Sequence, residues 1–314
     1  MISTPFKYCL LQLFSLGVSL SCLNAQTFTV TPVNTTFVVN SSTILEGNTT
    51  KSLAFKLNAV SRNRTYSIYV QLTSINFTPS STVISPMPLL VKFNKITNVT
   101  TTGYVQNSNI SIPMTPVTST LAQNATATGN STTAISEYDL ILQPLGYNVP
   151  PGTYIYNLNF RYVDNSTTIN RPMAVTLTVS NVLNLTISPA TEASFSIGNS
   201  TLITNGQTIS NAYTLQVKSN VAWQCRVKSV AATFANSGTS STANVFTSKL
   251  QVIKASPAAT VTVSGSDQFL ASGSKGNAGV SGNTFTISLK ATPGFTMGPG
   301  SYTTSLIYTL FTFP

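Results

Sequence analysis

The sequence predicts an all-β protein built as two tandem immunoglobulin-like antiparallel β-sandwich domains that arise from an internal duplication. Three observations carry this. Apolar residues alternate with a period of two, as in Leu53, Phe55, Leu57 and Ala59 or Leu158, Phe160 and Tyr162, which puts them on one face of a strand. Past residue 25 there is no long helical period; runs rich in Val, Ile, Thr, Tyr and Phe are separated by Gly, Pro, Asn and Ser, the punctuation of sandwich strands. Finally, PGTYIYNLNFRY at Pro151 is nearly rewritten as PGSYTTSLIYTL at Pro299.

The N-terminus is set aside first. Lys7, the apolar run YCLLQLFSLGVSLSCL and the ending Leu23-Asn24-Ala25 make residues 1–25 a signal peptide, with the exported chain starting at Gln26. The run is short for the ~20 residues of a membrane span, and polar residues interrupt it. Cys9 and Cys22 fall within it, which leaves Cys225. The exported chain then forms no internal disulfide and depends on buried area. Cys225, in VAWQCRVKSV, reads as a small core residue, and so does the single tryptophan, Trp223.

Similarity in one order along both halves divides the chain into 26–180 and 181–314. SLAFKLNAVSRNRTYSIYVQL resembles AYTLQVKSNVAWQCRVKSV, PLLVKFNKIT resembles TSKLQVIKAS, and SEYDLILQPLGYNVPPG and NTFTISLKATPGFTMGPG each precede a shared Pro-Gly. The repeated stretch is read as the closing strand of each half. Gly152 and Tyr154, with Gly300 and Tyr302, form a candidate corner into that strand. The tyrosines pin it through their hydroxyls, or are plain strand residues; the sequence leaves both open. Two polar stretches, TPVTSTLAQNATATGNSTTA and SGSDQFLASGSKGNAGVSGN, are expected to be long loops, either flexible or binding.

Only 7% of residues are charged, against ~25% in a typical soluble domain, and the hydrophobic fraction of 42% excludes disorder. The formal net charge of +10 does not mark a nucleic-acid binder, because the basic residues are scattered singly and suit protection of sheet edges. With no histidine and one exported thiol, neither a zinc site nor a serine triad can be assembled, so no catalytic, cofactor or metal residue is assigned and the protein is expected not to be an enzyme. Glu137 and Asp139 stand two apart on one face of a strand, which is read as a solvated strand start in preference to a glycosidase pair. Asn-x-Ser/Thr sequons recur, for example at Asn34, Asn48, Asn184 and Asn199; chance in an Asn/Thr-rich chain and glycosylation both account for them.

The terminal strands form the candidate strand-exchange segment: Phe28 and Val30 near the start, and Leu306, Tyr308 and Leu310 in SLIYTLFTFP. Such strands close their own sandwich or pair with another subunit through backbone hydrogen bonds. The Gly-x-Tyr corner around Gly152-Tyr154 and Gly300-Tyr302, followed by an alternating strand, resembles spore-coat-U-like and related fimbrial subunit domains of chaperone–usher systems. The signal ending Asn-Ala before Gln resembles exported β-sandwich proteins of the Bacteroidetes type. The resemblance implies an exported, non-enzymatic structural or adhesion subunit of the cell surface. Its partners would be proteins, through self-association or other surface subunits, with no nucleic acid and no transmembrane helix. A glycan-binding module using loop amides and exposed tyrosines is the alternative, and an outer-membrane barrel is disfavoured by the domain-sized repeat.

Overall fold

The computed structural model describes residues 26–61, 64–78, 89–97, 101–102, 105–106, 110–112, 117–127, 132–189, 193–196, 198–236, 247–295, 297 and 301–313. The expected signal segment and Gly300 lie outside them. The first part of the chain holds β1 (Thr27–Pro32), β2 (Thr36–Val39), α1 (Ser42–Glu46), β3 (Thr49–Ser61), β4 (Thr65–Thr78), β5 (Leu89–Thr97), β6 (Thr101–Thr102), β7 (Val105–Gln106), β8 (Ile110–Ser111), β9 (Ser119–Ala127), β10 (Thr132–Leu142), β11 (Gly152–Asp164) and β12 (Thr168–Val179). The second holds β13 (Leu183–Ser188), α2 (Ser200–Asn205), β14 (Gln207–Ser219), β15 (Trp223–Ser229), β16 (Ala235–Asn236), β17 (Leu250–Lys254), β18 (Ala259–Thr262), β19 (Gln268–Gly273), β20 (Thr284–Ala291), β21 (Tyr302–Thr303) and β22 (Leu306–Thr312).

In sandwich 1 a sheet ordered β1-β3-β10-β5-β8 faces one ordered β2-β12-β11-β4-β9-β6, with β7 also on β9. In sandwich 2, β13-β14-β20-β17-β18 faces β19-β15-β22, and β16 pairs with β21. Each encloses its own core, around Phe55, Tyr138 and Phe160 in the first and around Trp223, Val227 and Ile287 in the second. Among the described strands the pairing is antiparallel with one exception: β2 runs parallel to β12. Both helices are single short turns held by their ends. Ser41 and Asn199 cap the N-termini by accepting from Ile44 and Leu202, and Gly47 and Gly206 follow the C-termini, a sequence-local stop and start.

The alternation holds for Phe55, Leu57 and Ala59, all buried, and breaks at Leu53. There the backbone turns left-handed, with φ 49°, a conformation that costs an L side chain energy, and Ala54 takes the inward place. Asp139 supports the irregularity: its Oδ1 accepts from the Leu53 backbone N–H at 2.8 Å and from Asn94 Nδ2 at 3.0 Å. Glu137, on the same outer face, accepts from Lys56 at 2.9 Å and lies 3.4 Å from Lys95. The two carboxylates are therefore not a solvated strand start. Neighbouring side chains cover them, leaving Glu137 5% and Asp139 7% exposed.

The hydrogen bond from Lys56, with help from Lys95, holds the Glu137 carboxyl below its usual value of 4.5. A depressed folded-state value contributes stability above the unfolded value and loses it as pH falls through the folded one. Thermal stability is expected to decline below pH 4.5, and Glu137→Gln should flatten that decline in melts taken from pH 7 to 3. An unchanged acid limb in the variant would show that other groups set it.

The first expected polar loop is instead largely strand among its described residues, whereas the second is mostly loop and carries one short strand. The first contains β9, and the second contains β19 with Leu270 and Ala271 buried. Their inward residues are small or few, Leu121, Ala122 and Ala125 in β9, so Thr, Ser and Asn on the other face dominate the composition.

Candidate functional site: an open strand edge

The repeated stretch occupies different places in the two sandwiches. In sandwich 1 the chain enters β11 through Gly152, whose φ is +152° and where a methyl would run into the Phe77 ring and the Thr78 carbonyl. Two residues on, the Tyr154 hydroxyl donates to the Pro150 carbonyl at 2.7 Å, and its ring stacks on Phe77 at 4.3 Å. Burial pushes this phenol up to about 12, so it stays a donor. The inward side chains Tyr154, Tyr156, Leu158, Phe160 and Tyr162 are each no more than 1% exposed. They are covered because β11 is central, paired with β4 on one side and β12 on the other. It is thus not the closing strand of its half; β12 is, and β2 flanks β12 in turn.

In sandwich 2 the matching strand, β22, pairs with β15 alone among the described strands. Tyr308 stands opposite Val227 as Phe160 stands opposite Val70, so the two strands correspond residue for residue. Among the described residues sandwich 2 has no counterpart of β12. The inward Leu306, Tyr308 and Leu310 are in consequence only half-buried against the core, where their equivalents are sealed. The outward Ile307, Phe311 and Phe313 are 40%, 36% and 52% exposed, and the Arg226 guanidinium lies 5.1 Å from the Phe311 ring centre. Tyr302 sits in β21, paired with β16, and does not open the last strand as Tyr154 opens β11.

A second sequence match locates the other wall of the gap. TFVVNSSTILEG, from Thr36, corresponds to SFSIGNSTLITNG, from Ser194, with a phenylalanine four residues before each helix cap. In sandwich 1 these residues form β2, Phe37 and Val39 are buried, and the strand pairs with Leu177 and Val179 of β12. In sandwich 2 residues 193–196 belong to no strand, although Phe195 still packs on the core. A strand needs a partner for its backbone groups. The same pattern is a strand where β12 supplies one and irregular where no described strand does.

Phe28 and Val30 are engaged within sandwich 1. β1 pairs with β3, Phe28 is fully buried against Tyr162 at 5.7 Å, and Arg171 Nε donates to the Phe28 carbonyl at 2.8 Å. Among the described residues every tyrosine is buried or half-buried, so the exposed tyrosines that the glycan reading relies on are not found there. Trp223 and Cys225 are fully buried, and burial pushes the thiol up to about 12, which leaves it unreactive. Among the described residues no group of His, Cys, Asp or Glu could hold a metal ion, and no helix is long and apolar enough to cross a membrane.

The two sandwiches meet at a compact joint. Asn220, 1% exposed, accepts from the Val182 N–H at 2.8 Å and donates to the Ser180 carbonyl at 3.0 Å. Asn184 Nδ2 donates to Ser42 Oγ at 2.9 Å, and Lys218 reaches Glu46 at 2.6 Å. Thus α1 of sandwich 1 docks on β13 and β14 of sandwich 2.

Fold and edge together define a class: tandem β-sandwich proteins in which, among the described residues, one sandwich is closed and the other is open along a strand. Among solved structures the chain is similar to a chain of the CsuC-CsuE chaperone–tip adhesion subunit pre-assembly complex from archaic chaperone-usher Csu pili of Acinetobacter baumannii. The identity is 10% and the TM-score 0.42, over 90% of this chain and 99% of that one. It is also similar to the CupB6 tip adhesin from Pseudomonas aeruginosa, at 10% identity and a TM-score of 0.35, over 91% and 93% of the two chains. The CooA pilin subunit from enterotoxigenic Escherichia coli matches at 11% identity and a TM-score of 0.30, over 49% of this chain and 99% of that one. These structural neighbours are chaperone-usher pilus subunits and tip adhesins, the class that the Gly-x-Tyr stretch resembles. No family model matches the sequence, and no curated protein matches it.

Proposed function

We propose that this protein is an exported, non-enzymatic surface subunit of fimbria-like type, acting in adhesion, whose second sandwich is completed by a β-strand from another protein. The observation that carries this is the difference between the two halves: β12 fills the place beside β11, and no described strand fills the corresponding place beside β22. The inserted strand would run antiparallel to β22, as β12 does to β11, and parallel to the segment containing Phe195, as β12 does to β2. Backbone groups on both walls supply the affinity, and alternate inward side chains supply the fit. The pilus setting is what the Gly-x-Tyr resemblance implies, and the division at residue 180 with its duplication belongs to the same reading.

The test extends the chain after Thr312 with a copy of Asn165–Val179, the turn and strand that complete sandwich 1. Trp223, the single tryptophan, lies in the core of sandwich 2, so its fluorescence reports that sandwich. Covering the half-buried Leu306, Tyr308 and Leu310 is worth a few kcal/mol, and the Trp223 transition is expected to rise by about 10 °C. An unchanged transition in the extended protein would sink the strand-acceptance reading.

A further inference from the structure

The open side of sandwich 2 is lined by Leu306, Leu310, Leu183, Leu185 and Phe195, all half-buried. One spot among them is polar. Tyr308, inward on β22, bonds hydroxyl to hydroxyl with Tyr213 of β14, and the two rings meet edge to face with centroids 6.0 Å apart. At the corresponding place in sandwich 1 two phenylalanines, Phe55 and Phe160, touch at 5.0 Å. The hydroxyl pair is thus a feature of the open sandwich alone. Two phenol hydroxyls carry two O–H donors and several lone pairs, and a bond between them uses one donor. Neither hydroxyl makes another hydrogen bond among the described residues. Burial raises both phenols, Tyr213 to about 12 and Tyr308 further, so both remain protonated.

The register identifies what would face this pair. In sandwich 1 the residue opposite Phe160 on β12 is Arg171, and those two places further along are Met173 and Val175. The position is polar there as well: Arg171, itself exposed, donates from Nε to the Phe28 carbonyl of β1. Covering Tyr308 and Tyr213 with an apolar side chain would leave the remaining O–H without an acceptor in a dry groove, which is costly.

Building on the strand-acceptance reading, we infer that the Tyr213–Tyr308 hydroxyl pair is a specificity element, selecting an incoming strand with a short hydrogen-bonding side chain, Thr, Ser or Asn, opposite Tyr308 and apolar side chains at the inward positions beyond. A uniformly apolar strand fits less well. The selecting step is the bond from the free phenol O–H to that side chain, buried when the groove closes.

The extended protein described above tests this. Two versions place Thr or Val in the appended strand where the copy of Arg171 falls. Val is the more apolar and has the same shape, so burial alone favours it. The Thr version is expected to melt about 3 °C above the Val version. In a Tyr213→Phe, Tyr308→Phe background, which keeps both rings, the order should reverse. Equal melting or a Val advantage in the parent protein overturns the inference, as does a Thr advantage that survives loss of both hydroxyls. If both versions stabilise sandwich 2 without a Thr preference, strand acceptance stands and only the selection falls. If neither stabilises it, both fall.

Discussion

Trp223→Ala is expected to unfold sandwich 2 while sandwich 1 stays folded. The indole is fully buried, stacks on Phe285 at 6.2 Å, and donates from Nε1 to Asn283 Oδ1 at 3.1 Å. Opposite it stands Gly273, where any β-carbon would run into the ring; sandwich 2 is built around this one side chain. Truncation leaves a large cavity and a buried amide oxygen without its donor, a loss of about 3–5 kcal/mol. A domain's whole stability is only about 5–15 kcal/mol. Because β15 is the single described partner of β22, the open edge is lost with it. Limited proteolysis should yield a protected fragment ending near Ser180, and calorimetry a missing transition. Two intact transitions in the variant would contradict this account of the core.

Asn220→Ala has the second-largest expected effect, confined to the joint. It strands the buried Val182 N–H and removes the donor to the part-buried Ser180 carbonyl, at a cost of about 1–3 kcal/mol. The Lys218–Glu46 pair beside it is 35% and 44% exposed, and such a bridge contributes at most about 1 kcal/mol; Glu46→Gln should therefore change little. With Asn220 removed, the two sandwiches are expected to melt separately and small-angle scattering to broaden. A single unaltered transition with unaltered scattering would mean that the joint is held by something else.

Period-two alternation made the sheets legible, and the duplicated letters pointed to the two strands that matter, β11 and β22. Neither showed that one is central and the other an edge. Period reports which face of a strand is buried but says nothing of its lateral neighbours, and the difference resides in β12, a third strand with no counterpart among the described residues of sandwich 2. β9 escaped notice because small Ala residues fill its inward positions and carry little hydrophobic signal. Leu53 was misplaced because its left-handed turn is enforced from another strand, by Asp139, which no local window contains. Of the candidate residues, Leu306, Tyr308 and Leu310 lie together at the open edge, whereas Phe28 and Val30 lie in the closed sandwich. The recurrence of a phenylalanine four residues before each helix cap was present in the letters and would have marked the gap's second wall.

The position of β12 also has a mechanical consequence. Its last residue, Val179, leads within three residues into the joint with sandwich 2, and β11 holds it along nearly its whole length, with β2 gripping its final four residues. Hydrogen bonds between strands lie across the strand direction. A pull transmitted from sandwich 2 therefore draws β12 along its own axis and loads those bonds in parallel, in shear, where peeling would open them one at a time. Under traction sandwich 1 resists as a unit, up to a single cooperative rupture.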